Sequence, residues 1–223
     1  MDRYTKYQIV ASICVALFIT STAMFILANT NTIYNRCYEN YYAELSEELP
    51  SVPSQIKRPA EASLYFTQLS DSFAKFFGKN YEISGYELTK ENTKHLNDIK
   101  TYYRLSVVIS IFSFIAGCYS IWFISKRRMY MPLVYGGLLA ALFTSVNSLI
   151  LIFGKNEVVS GVRNMIFDMD YSFFSEGDLL LSLFPPEYAR WLFGAYIILV
   201  LILILIMVFL RQLIVFLGRP HKF

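Results

Sequence analysis

Charge is absent from four long stretches of this 223-residue chain: residues 9–28, 105–124, 131–153 and 191–210 contain no Asp, Glu, Lys, Arg or His. Each is long enough to cross the roughly 30 Å of a bilayer's hydrocarbon core. A buried helix of a soluble protein is usually shorter and keeps a charged side, so a soluble fold is excluded. Histidine is scarce, with only His95 and His221, and cysteine is limited to Cys14, Cys37 and Cys118. Three cysteines build no disulfide framework. Cys14 and Cys118 fall inside apolar stretches and read as small packing residues. Zinc-hydrolase and serine-hydrolase signatures are missing too, since the chain has neither H-E-x-x-H nor G-x-S-x-G. No internal repeat or low-complexity tract is present.

What is there is apolar and aromatic: 55% hydrophobic residues, with 17 tyrosines and 19 phenylalanines. The expected fold is an all-α membrane protein, a single integral domain over residues 1–223, with four transmembrane helices and a partly helical extracytoplasmic portion. The first apolar stretch follows Arg3 and Lys6. It is longer than a signal-peptide core and no A-x-A site follows, so it reads as an uncleaved span. A lipobox is excluded because Ile13 precedes Cys14 where a small residue is required.

Basic residues set the orientation. Arg3 and Lys6 precede span one, Lys126, Arg127 and Arg128 separate spans two and three, and Arg219 and Lys222 follow span four. With four spans these flanks share one side, so both termini are expected in the cytoplasm. Segments 29–104 and 154–190 are then outside a cell membrane that the chain crosses several times. The formal net charge of +3 expresses this sidedness and implies no nucleic-acid partner.

The first outer segment opens with "YNRCYENYYAELSEEL", which has amphipathic helical spacing, and continues through a connector marked by Pro50, Pro53 and Pro59. Residues 61–79 repeat apolar side chains at helical spacing, suited either to the membrane interface or to packing on the outer ends of the spans. Thr89 is a good N-cap, and no Pro or Gly intervenes between it and Gly117. One helix is therefore expected to run from outside into span two. Along it Glu91, His95, Asp98, Tyr102, Ser106, Ser110, Ser113, Gly117 and Ser120 recur every three or four residues and share one face. The lower half is a stripe of small residues suited to close helix packing. The upper half is a carboxylate–imidazole–carboxylate ladder about 15 Å above the apolar run.

Span three offers Gly137, Ala141, Thr144 and Ser148 at helical spacing, with Asn147 as a polar group within lipid. Span four is apolar all round and is expected only to face lipid and fill space.

Histidine exchanges a proton near neutral pH, and the flanking carboxylates can orient its ring. A proton-transfer role stands beside a structural one, a solvated or hydrogen-bonded histidine. A metal site formed by Glu91, His95 and Asp98 with Asp168 or Asp170 has little support, because one histidine among carboxylates is poorly diagnostic. In the second outer segment Asp168 and Asp170 lie among aromatics, where capping a turn is the plain alternative to chemistry.

The stretch "LTKENTKHLNDIK" resembles the E-x-x-x-H-[LM]-x-D-[VI] motif of the lipoprotein intramolecular transacylases (Lit), which precedes span two in that family. "DLLLSLFPPEY" similarly resembles that family's D-x-L-[IL]-x-x-F-P-x-x-[FY] motif before span four. The resemblance implies an enzyme of four spans, an acyltransferase of the bacterial cell envelope acting in lipoprotein modification. Its partners would be diacylated bacterial lipoproteins and membrane lipid, with no cofactor and no metal. The sn-2 acyl chain of the N-terminal diacylglyceryl cysteine moves to that cysteine's α-amine, giving the lyso-form. The family uses two outward histidines. His95 matches the first, whereas at the second the nearest match is Phe167–Asp168. The implied roles are His95 as base and Asp168, or Asp170 in its stead, as second proton carrier. Glu91, Asp98, Tyr102 and Asp170 are in support, with Arg163 available to an oxyanion. A non-catalytic relative that binds lipoprotein or lipid at the outer leaflet is the alternative.

Overall fold

The computed structural model describes residues 3–30, 32, 90–125, 129–153 and 186–217. They form α1 (Arg3–Ala28), α2 (Lys90–Ser125), α3 (Pro132–Phe153) and α4 (Pro186–Leu217). Among the described residues there is no strand. The all-helical expectation therefore holds. The tyrosine-rich and phenylalanine-rich parts of 29–104, Thr89, the basic turn 126–128 and residues 218–223 lie outside the described residues. Two helices open on proline, Pro132 and Pro186, whose missing N–H costs nothing in a first helical turn.

Three stretches, Arg3–Ala28, Thr101–Ser125 and Trp191–Leu217, are long and apolar enough to cross a membrane, while the described apolar part of α3, Pro132–Ser148, is shorter. α2 is one uninterrupted helix of 36 residues, as the lack of Pro and Gly before Gly117 allows.

The described residues fall into two units. One holds α1 as far as Phe25, α2 from Leu105, α3, and α4 from Tyr196; the other holds the end of α1, α2 up to Arg104 and α4 up to Ala195. In the first unit α1 and α2 run antiparallel. Tyr7 stacks on Phe123 with ring centroids 4.2 Å apart, and Phe18 meets Phe114 at 5.4 Å. Further along α1, the Thr22 and Ser110 hydroxyls are hydrogen-bonded at 2.9 Å. Tyr4 and the Arg3 guanidinium also lie against Phe123. The basic start of α1 thus sits beside the end of α2, in the aromatic setting typical of a membrane boundary.

The small-residue stripe of α2 packs as expected. Ser113 and Ser120 are buried, and Gly117 brings the helix against Cys14. Cys118, expected to be a packing residue, is instead exposed. It is next to Gly117 in sequence but about 100° around the helix.

α1 is the most enclosed of the long helices. Its other side supplies Val15, Ile19 and Ala23 to a core completed by Leu133 and Ala140 of α3 and Val200 of α4. The closest approach is at Gly136 of α3, which lies against Val15 and the Ser12 carbonyl, while its neighbour Gly137 meets Ile204. α4 therefore does more than face lipid. Val200 is 1% exposed, and Leu203 and Ile204 pack on the same core. The remainder of α4 presents large apolar side chains outward, among them Leu205 and Phe209.

Polar groups on the spans are largely satisfied within their own helices. Ser12 donates to the Gln8 carbonyl, Ser21 to Leu17, Asn147 to Phe143 and Ser148 to Thr144, all between 2.6 and 2.8 Å. Such back-bonding lets a hydroxyl or amide sit in an apolar setting without an orphaned donor. The Thr144 hydroxyl is buried without a well-formed hydrogen bond, although the Tyr196 phenol lies near enough to interact with it.

Candidate functional site

The ladder occupies the first four turns of α2, in the second unit. Glu91, His95, Asp98 and Tyr102 all belong to the continuous helix, and their spacing of four, three and four residues sets their Cα atoms along one side of it. Asp98 is half-buried. Tyr102 keeps 39% of its surface open. For Glu91 and His95 the structure describes the backbone only, and Arg163, Asp168 and Asp170 lie outside the described residues. The pairing of His95 with Asp168 therefore stays a proposal.

Two residues beside the ladder were not singled out from sequence. Tyr103, next to Tyr102, is only 8% exposed. Asn29, just past the end of α1, donates from Nδ2 to the Tyr103 hydroxyl at 3.3 Å, and that hydroxyl lies 3.5 Å from Asn29 Oδ1. The signal for Tyr103 was present. It precedes Ser110 and Gly117 by seven and fourteen positions, so it falls on the packed side of the helix. Arg104 follows, half-buried, with a buried Nε that has no hydrogen-bond partner.

Among the described residues no three His, Cys, Asp or Glu side chains gather as a metal site would require. A shallow groove on the surface of α4, between Phe209 and Phe216, includes none of the candidate residues. The proline-bearing motif enters the structure at Pro186, where α4 starts; Asp178 and the rest of its apolar run lie outside the described residues.

No family model matches this sequence, and no curated protein matches it. The fold does have counterparts. A structure of the membrane-integral lipoprotein intramolecular transacylase Lit from Bacillus cereus is similar at a TM-score of 0.80 and 14% identity, covering 95% of each chain. Two variants of the same protein, one with a histidine changed to arginine and one with a histidine changed to alanine, are similar at 0.80 and 15% identity. They match over 95% of this chain and 92% or 93% of theirs. Long apolar helices and this match together make the chain an integral membrane protein with the fold of Lit.

Proposed function

We propose that this protein carries out Lit-like intramolecular acyl transfer on bacterial lipoproteins. The observation that supports it most is the fold shared over 95% of the chain, within which α2 carries the Glu91–His95–Asp98 ladder unbroken from the apolar span. In this reading α3, whose 22 residues extend about 33 Å, is the remaining span. Both termini are cytoplasmic and the ladder faces the outer leaflet.

The substrate is the diacylglyceryl cysteine at a lipoprotein's N-terminus. An α-amine has a pKa of about 7.7–8.0, so a base working near neutrality can deprotonate it. The amine nitrogen attacks the carbonyl carbon of the sn-2 ester. A C–N bond forms, the bond from that carbon to the glycerol oxygen breaks, and an amide and a free hydroxyl result. His95 accepts the proton lost by nitrogen, with Asp98 or Glu91 orienting its ring, and Asp168 delivers one to the departing glycerol oxygen. Arg163 is the cation available to the developing oxyanion. Both reacting groups belong to one molecule, so the protein's contribution is mainly orientation, and the reaction balances with no cofactor.

A second reading is a non-catalytic relative that binds lipoprotein or lipid at the outer leaflet. It is favoured by the aspartate at position 168, where the resemblance calls for histidine. Mass spectrometry of lipoprotein N-termini from cells with and without the protein separates the two. The transacylase gives N-acylated lyso-form only in its presence. Unmodified amines in both samples leave the binding protein.

A further inference from the structure

We infer that Arg211, near the end of α4, holds the phosphate of an anionic phospholipid. Arg211 is the first charge after the run 191–210, which is long enough to cross the hydrocarbon core, so it stands at the membrane boundary. It is not on the lipid-facing side of α4. Met207 and Ile214, four positions before it and three after, both pack on the core that includes Leu133 in the first turn of α3. Helical spacing puts Arg211 on that same face. The side chain is half-buried, and its Nε is buried with no hydrogen-bond partner. A guanidinium in that setting is costly unless an anion meets it.

The chain itself has little to offer there. α1 begins beside the end of α2, where Tyr7 stacks on Phe123. The sequence that borders this end is basic: Arg3 and Lys6 open α1, Lys126, Arg127 and Arg128 join α2 to α3, and Arg219 and Lys222 follow α4. Asp2 is the one acidic side chain within residues 1–11, 121–135 and 205–223. An anionic phospholipid meets both needs, with a phosphate oxygen for the orphaned Nε–H and negative charge for the neighbouring cations. The planar fork of arginine suits phosphate in particular. Phe209, Leu213 and Phe216 are exposed on the same turns of α4, so apolar surface for the acyl chains reaches this level. A zwitterionic lipid brings its own cation into basic surroundings, and inorganic phosphate brings no chains.

The test uses the full-length protein, delipidated in a neutral detergent, with phosphatidylglycerol, phosphatidylcholine or inorganic phosphate added. Thermal melting and native mass spectra are read. Phosphatidylglycerol should stabilise the wild type saturably, and the other two should have little effect. Without lipid, Arg211→Met should melt at or above wild type, because it removes an unmet charge; with phosphatidylglycerol the order should reverse. Its apparent affinity for that lipid should fall about tenfold or more, the scale of a charge-assisted hydrogen bond, while Lys222→Gln stays within about twofold. Equal losses in the two variants would mean diffuse attraction to a basic surface and overturn the site. Equal stabilisation by inorganic phosphate would overturn the lipid as its occupant. If Arg211→Met and Asp2→Asn both melt below wild type without lipid, the acceptor is the chain's own carboxylate and the proposal fails. Photoactivatable phosphatidylglycerol on the wild type needs no variant to fold: label within residues 205–217 supports the site, and label confined to the other helices overturns it.

Discussion

Gly136 and Val15 are packed so closely that a β-carbon at Gly136 would lie 2.5 Å from Val15 Cβ, and 2.8 Å from the Ser12 carbonyl oxygen. The second neighbour is backbone and cannot rotate away. Gly136→Ala should therefore cost about 1–3 kcal/mol or more, the usual scale of overpacking. At Gly194 nothing lies within 4 Å, so Gly194→Ala should be neutral or stabilising by about 0.5–1 kcal/mol through helix propensity. Gly117→Ala, meeting Cys14 Cβ at 3.4 Å, should fall between them. Thermal melts in one detergent rank the three, and equal melting points for the Gly136 and Gly194 variants would contradict the packing.

The Thr22–Ser110 hydrogen bond at 2.9 Å crosses between helices within the membrane-spanning region. A double-mutant cycle with Thr22→Val and Ser110→Ala should give a coupling near 0.6 kcal/mol and below about 2 kcal/mol. No coupling would mean that each hydroxyl is equally content with a carbonyl of its own helix.

Under the proposed chemistry, His95→Ala abolishes N-acylation at unchanged protein abundance, because the residue stands ten positions beyond the charge-free run. Asp168→Asn should lower the rate about 10²-fold or more, the usual scale for a lost acid–base group. Asp168→His is the informative reversal, expected to retain or raise activity if position 168 takes the second histidine's place. Western blots and lipoprotein mass spectra of the same cells read both quantities. Full activity of His95→Ala would remove it from the base role.

Orientation can be settled with reporter fusions. A reporter active only in the cytoplasm should work after Arg128, and one active only outside should work after Pro53. An outside-only reporter that is active at Arg128 would invert the proposed topology.

The helices were legible because desolvating a charge is expensive, so 20-residue runs without one carry a strong message. The unbroken course of α2 followed equally directly from the residues that would interrupt it. Its stripe from Ser106 to Ser120 was visible because small residues among large ones mark a contact. Other features were hidden for physical reasons. Tyr102 and Tyr103 are chemically identical neighbours, and beyond the seven-residue step from Tyr103 to Ser110 only packing makes one exposed and the other buried. The same holds for Gly136 and Gly137, where the first touches backbone and the second a flexible isoleucine. α4 is so uniformly apolar that no periodicity distinguishes Val200 from its outward neighbours. The Asn29–Tyr103 bond joins residues 74 positions apart, a separation that no local pattern bridges. Of the site, the ladder's shared helix was readable, whereas convergence with Asp168 is a matter of tertiary geometry on residues outside those described.

The 36 unbroken residues of α2 make it a lever with no joint between membrane and ladder. Helices answer a change in bilayer thickness by tilting. A tilt of about 10° would swing a point about 15 Å beyond the apolar run sideways by roughly 2.6 Å, using the rise of a straight helix. Lipid thickness would then become a variable of the chemistry, and turnover in nanodiscs of graded acyl-chain length should peak at one thickness and fall on either side. A flat profile would mean that the outer turns are steered by the headgroup region rather than by the span.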